Sequence, residues 1–409
     1  MSVDSAVPSR ARPLGVDPDG TAAAIMLAFL ATAGFLYVNI MAAIVSGMID
    51  ALHFSAPVAG RIGSFNVYGA ALGAFAAVWI VGRRPWRSAA AWLLCALIAF
   101  DVGSAFVHDA TTMLCVRTLH GIAGGMLVGI SFSVIARTRV PDRTFGMLLA
   151  VQALLGGLGL MFLPRLVPLF GASVLFYSLA AFSAITLAML PFLPVYPPRP
   201  RATAASPGAA AAVVRRRWAL PTAFAAVFLF QAGNMGIAAY IFELGRRYAL
   251  SLDFMTAVLG IAGWLSAAGA LIVYLIGDRF GRVAPVAAGM AIAVLGTAAF
   301  RASDLAAVYA AANVVTAIAW MFVVPYLLGL CATFDRGGRT ATIAGLFSKL
   351  GLATGPLIAS LFVGRAGYSV VIDLAVVALV LSAACALVVA RVVDRGVGAR
   401  DVGRGANGG

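Results

Sequence analysis

The sequence predicts an all-α membrane protein: twelve transmembrane helices in two pseudo-symmetric six-helix bundles. Three observations predict it. The 409 residues are 62% hydrophobic and only 11% charged, with a mean hydropathy of +1.00. A soluble chain carries about a quarter charged residues, so this one cannot clothe its surface in polar groups and its solvent must be largely lipid. The apolar residues fall in twelve continuous stretches, each near the roughly 20 residues that a membrane-spanning helix needs. Continuous rather than alternating runs argue against strands of a barrel. Finally, the two halves of the chain repeat one another.

The elements follow in order. Residues 1–20 are polar, contain Pro and Asp, and lack the apolar core of a signal peptide; they form a cytoplasmic tail. Spans are expected near 21–49, 60–82, 88–107, 111–136, 144–164 and 173–194, which make the first bundle, 21–194. The segment "VYPPRPRATAASPGAAAAVVRRRW", 195–218, is rich in Pro, Ala and Arg and reads as a cytoplasmic linker. Spans resume near 219–244, 254–277, 283–300, 305–333, 340–363 and 368–391, the second bundle, 219–391. The longer runs suggest tilt or an end that emerges from the bilayer. The Gly- and Arg-rich residues 392–409 read as a disordered cytoplasmic tail.

The net charge of +14 and pI near 10.5 might suggest nucleic acid. Position excludes it. With the N-terminus inside, 21 of the 29 Lys and Arg fall in the termini and the loops on that side, and five fall opposite. This is the positive-inside bias, and it puts both termini in the cytoplasm of a plasma (inner) membrane protein. Cys95, Cys115, Cys331 and Cys385 are scattered in apolar spans and form neither a disulfide framework nor a CxxC pair.

The internal repeat rests on polar matches at a near-constant offset. At 195 residues Phe35 meets Phe230, Asn39 meets Asn234, and Gly82, Arg84 and Arg87 meet Gly277, Arg279 and Arg282. At 196, Arg143-Thr144 meets Arg339-Thr340 and Gly159 meets Gly355. Two like-oriented halves joined by a cytoplasmic linker make the parallel-repeat architecture of secondary transporters, whose site lies near the midplane between the halves.

Two motifs sharpen this. "GDRFGR", 277–282, resembles the G-x-x-x-D-R-x-G-R loop of the major facilitator superfamily, and "RTLHGIAGG", 117–125, resembles its R-x-x-x-G-x-G pattern in span four. Span five, "GMLLAVQALLGGLGLMFLP", lacks the Gly-Pro pair of the proton-coupled drug exporters, so no subfamily is assigned. The resemblance implies that the loop aspartate docks on a helix end of the opposite half and holds the cytoplasmic side closed. Asp278 should then face Arg143 and Thr144. The matched loop, "VGRRPWR", has Arg83 in place of the acid and should face Arg339 and Thr340, with Asp335 nearest to substitute. The expected gate is asymmetric, built of Gly82, Arg83, Arg84, Arg87, Gly277, Asp278, Arg279, Gly281 and Arg282, and firm only at Asp278.

Ionisable groups deep in spans are costly and mark function. At about 1.5 Å per residue, Arg117 lies roughly 9 Å into span four and Lys349 about 13 Å into span eleven. Each needs a watery cavity or an acid. The acids are peripheral: Asp50, Glu243 and Asp373 sit at outer ends, and Asp101 in the outer part of span three. The expected cavity therefore carries excess positive charge and favours an organic anion, unless Asp101 neutralises Arg117. His120, one turn after Arg117, can shuttle protons or hydrogen-bond a neighbouring helix. Asn39, Asn234 and Gln231 are amides that must find polar company, and the face of Gln231, Asn234, Ala238 and Ile241 is expected to see the cavity. Asn66, Tyr37, Trp320 and Tyr326 are lesser candidates.

The expected function is secondary active transport of a small organic solute by alternating access, proton-coupled, by a monomer with no cofactor and no metal. The alternative is a proton-coupled exporter of drugs or metabolites. A polytopic membrane enzyme would need a metal cluster, but His53, His108 and His120 are not grouped with carboxylates at ligand spacing. A transporter-like sensor would be expected to carry a signalling domain.

Overall fold

With no water to satisfy peptide groups, lipid permits only helices or closed barrels, and this chain folds as helices throughout its described residues. The computed structural model describes residues 16–80, 85–196, 218–277, 279–334, 339–364 and 367–405. The first span is broken into α1 (Thr21–Ala33), α2 (Leu36–Asn39) and α3 (Met41–Leu52). There follow α4 (Ala56–Ile80), α5 (Trp86–Ser104), α6 (Ala110–Ile135), α7 (Pro141–Phe170) and α8 (Ser173–Met189). The second half comprises α9 (Ala219–Ala238) and α10 (Ile241–Arg247), α11 (Leu252–Leu265) and α12 (Ala267–Ile276), then α13 (Val283–Ala299), α14 (Ala306–Ala332), α15 (Arg339–Val363) and α16 (Tyr368–Gly405). Paired pieces make single spans, so the count is twelve. Ten stretches among the described residues are long and apolar enough to cross a membrane. The split first span and the 25-residue α4 complete the set.

Helix ends follow from their residues. Asp109 caps α6, accepting from the Thr112 amide at 2.8 Å. That bond holds the Asp109 carboxyl below its usual range. Ser251 caps α11 in the same way, and Pro141 opens α7, where a missing N–H costs nothing. The largest departure from the sequence-based boundaries is at the end. α16 continues from the membrane through Arg391 to Gly405, where a disordered tail is expected from 392. No proline interrupts it, so nothing covalent forces a stop at the membrane surface.

Each half packs around its own helices, and two equivalent seams join them: α4 against α15, and α7 against α11. A large core of buried side chains runs through the first half and into the second, through Met235, Tyr240, Leu244, Met255 and Tyr309. These second-half members belong to the side away from the termini or to the midplane. On the terminus side, the second half keeps a core of its own, with Phe224, Val286, Leu327 and Val389. Among the described residues, the halves thus share a core on the far side, while toward the termini the second half keeps its own.

The described cross-links agree. Arg246 donates to Asp50, Tyr240 donates to the Ala56 carbonyl at 3.1 Å, and Arg165 pairs with Asp253 at 3.2 Å; all lie on the far side. Tyr68–Thr354 at 2.8 Å and the Trp264 indole to the Leu154 carbonyl at 3.2 Å lie nearer the midplane.

Candidate functional site: a central cavity and a separate buried ion pair

Between the halves lies a cavity of about 550 Å³. Its lining reaches Phe145, near the start of α7, and Gly345, near the start of α15, so it extends from the midplane toward the termini. The wall from the first half is apolar: Phe35, Phe132, Phe145, Leu148 and Leu160, relieved only by Asn39 and Gln152. The wall from the second half carries Gln231, Asn234, Ser266, Thr297, Asn313, Thr316, Trp320, Ser348 and Lys349. Among the described residues, no carboxylate lines it.

Among the described residues, Lys349 is the one charged residue of the lining, and no acid pairs with it. Its Nζ lies 4.1 Å from the centre of the Phe35 ring, a cation–π contact. Gln231 is fully committed: its Nε2 donates to Ser348 at 2.7 Å, and its Oε1 accepts from the Trp320 indole at 2.7 Å. Asn234 donates to the Phe230 carbonyl one turn back, at 2.8 Å. The Asn39 Nδ2 is buried and has no partner. As expected of their shared face, Gln231, Asn234, Ala238 and Ile241 all line the cavity.

Arg117, Asp101 and His120 are elsewhere. They are buried inside the first half, away from the cavity lining. Arg117 Nη1 donates to Asp101 Oδ1 at 2.8 Å, and its Nη2 donates to the Phe100 carbonyl at 2.8 Å and to Ser104. Both partners of the ion pair are fully buried, and the guanidinium lies 5.0 Å from the Phe176 ring centre. His120 Nε2 stands 3.3 Å from the same Asp101 oxygen. Its Nδ1 faces Asn66 Nδ2 at 2.9 Å, which ties it to α4. Asp101 therefore does neutralise Arg117, and the expected excess of cavity charge reduces to Lys349. Tyr37 packs on this cluster, 5.8 Å from the His120 ring. The short α2 thus stands between the two sites, with Tyr37 on the ion pair and Phe35 and Asn39 on the cavity.

Comparison with known proteins accords with this layout. A model of the Major Facilitator Superfamily matches residues 24–348. The chain belongs to the major facilitator superfamily. No curated protein matches it in sequence. Among solved structures, it resembles a bacterial homologue of the human lysosomal transporter Spinster, described as inward-facing and unoccupied. The TM-score is 0.70 at 14% identity, covering 93% of this chain and 99% of that one. The nucleoside transporter NupG superposes with a TM-score of 0.68 at 15% identity, over 90% and 98%. The human organic anion transporter TETRAN gives 0.58 at 19%, over 89% and 97%. At these identities the likeness is one of fold.

The superfamily's signature loops can be followed in part. Gly82, Arg83, Arg84, Asp278 and Asp335 lie outside the described residues. Gly277 and Gly281 adopt φ of +53° and +64°, which explains two of the motif's glycines. The Asp394 carboxylate, on α16, accepts from the amides of Arg282 and Val283, both at 3.1 Å, and so caps α13. Arg279 is exposed. In the matched loop, Arg87 donates to the Pro191 carbonyl at 3.1 Å, just past α8. Both loops are therefore tethered to the last span of their own half, with opposite chemistry. Among the described residues, neither makes a hydrogen bond or ion pair to the other half.

Sequence reasoning missed Gln152, Ser348, Asn313 and Thr316 in the lining. One signal was available: Gln152 and Ser348 match at the same offset of 196 that pairs Arg143 with Arg339.

Proposed function

We propose that this superfamily member is a secondary active transporter that moves a small organic anion by alternating access, coupled to protons. Both termini lie in the cytoplasm of the plasma (inner) membrane, so the cavity faces inward in the state described. One observation carries the substrate reading: Lys349 lines a cavity in which no carboxylate is found among the described residues. An uncompensated charge there costs several kcal/mol, and an anionic solute removes that cost on arrival. A lipophilic cation meets the opposite field. The separation of the halves on one side and their fusion on the other supports alternating access. Asp101 and His120, buried side by side and linked through α2 to the cavity wall, suit a proton better than a solute.

Uptake of radiolabelled organic acids into proteoliposomes, with and without an imposed pH gradient, tests this reading. Lys349→Gln should cut anion uptake by roughly tenfold or more, the worth of a charged hydrogen bond, without lowering the melting temperature. Undiminished uptake by that variant would sink the assignment. A second reading, export, is favoured by the apolar first-half wall, which suits a lipophilic cargo; the direction of the pH gradient that drives flux decides between them.

A further inference from the structure

The cavity is not evenly polar, and its unevenness narrows the solute. Lys349 offers one positive charge, and among the described residues no second cation lines the wall. A second negative charge on a solute would lose its water and find no partner, which is strongly unfavourable. The halves also divide the labour. The position matched to Lys349 at an offset of 196 is Ala153, which lines the opposite wall. Charge is thus presented from one side only, against a wall of Phe132, Phe145, Leu148 and Leu149.

The polar groups near Lys349 are mostly spent. Gln231 is occupied by Ser348 and Trp320, and the Trp320 N–H is consumed by Gln231, leaving the ring to act as an apolar surface. What stays open is the Lys349 ammonium, which Phe35 holds at 4.1 Å from its ring centre; the Asn39 Nδ2 also lacks a partner but is buried. One ammonium suits a single carboxylate. A volume of about 550 Å³ is in the range of sites for ring-sized ligands.

We propose that the solute is an amphipathic monoanion. Its one carboxylate docks on Lys349, and its apolar body lies against the first-half wall. This rests on the anion reading above and goes further by excluding dianions and small hydrophilic acids.

The test uses the purified full chain, with affinities from thermal shift, which follows RT ln(1 + [L]/Kd). The probes are 3-phenylpropionate, propionate, succinate, benzylamine and benzyl alcohol. Phenylpropionate should bind roughly tenfold or more tighter than propionate, since binding removes its ring from water. Succinate should bind more weakly still. Lys349→Gln should remove most of the preference for phenylpropionate over benzyl alcohol. Leu149→Asn, at a half-exposed site of the lining, should weaken phenylpropionate several-fold more than propionate. Succinate binding as tightly as phenylpropionate, or Leu149→Asn affecting both monoanions equally, overturns this inference and leaves the anion reading standing. Benzylamine binding best, or no acid binding at all, overturns both.

Discussion

The two halves of this protein descend from one pattern but handle a membrane-buried charge in opposite ways. In the first half, Arg117 is closed inside the bundle and answered by Asp101 at 2.8 Å, with the Phe100 carbonyl and Ser104 accepting further hydrogen bonds. In the second, Lys349 has a ring beneath it, a cavity in front, and, among the described residues, no acid beside it. A charge in low dielectric must be paired or reach solvent. The paired one becomes architecture. The unpaired one has its interaction free energy still available for a ligand. A buried cation in the same fold can serve either end, and its neighbours decide which.

Removing the first-half acid tests the contrast most severely. Asp101→Ala strands Arg117 and should cost about 3–5 kcal/mol, read as a large fall in melting temperature or loss of folded protein. Lys349→Gln should not lower the melting temperature. Equal destabilisation by the two would erase the distinction between structural and functional charge. The double substitution Asp101→Leu with Arg117→Met should recover most of the lost stability, because replacing both ions of a buried pair is often neutral.

A smaller effect should come from the contact that places Arg117. A Cβ on Gly121 would strike the Asn66 carbonyl, so Gly121→Ala should overpack the α4–α6 seam by roughly 1–3 kcal/mol. Since Asn66 also holds His120, pH-dependent uptake should change along with stability. A stability loss alone, with an unchanged pH profile, would detach His120 from coupling.

The loops give the next test. Asp394→Ala frees the α13 amides it caps, a loss of about 1 kcal/mol, read as faster hydrogen exchange at Val283. The smallest stability effect is expected at the far-side link, where Arg246 and Asp50 are both partly exposed. Arg246→Ala should cost at most about 1 kcal/mol. Its signature is conformational: cysteine probes on the far side should become more accessible, and probes along the Phe145 end of the cavity less so. Unchanged labelling at both ends would mean that the link does not bias the two states.

Much of this was legible because lipid is a demanding solvent. Span positions followed from apolar run length. Arg117 and Lys349 stood out because charge is rare in such runs, and Gln231 and Asn234 shared a predictable face. The pairing of Arg117 with Asp101 was open as one of two readings, because nothing local distinguishes a charge that meets an acid on the next helix from one that meets water. The commitment of Gln231 to Trp320 and Ser348 was not foreseen, since those residues are 89 and 117 positions away. Nor was the continuation of α16 past Arg391: composition favours a tail, but the unbroken helical ladder carries on.

By itself, then, the sequence determined the solvent, the number of spans, the repeat and the short roster of polar groups that lipid must not touch. Each follows from composition and period along one dimension. Only the tertiary structure decided which charge is answered and which is left open. In a membrane bundle, lipid-facing and core-facing sides are both apolar, so the rotation of each helix leaves little trace in its own residues. It is set by where Gly121 lets α6 approach α4, and by where α2 breaks to turn Tyr37 toward one site and Phe35 and Asn39 toward the other.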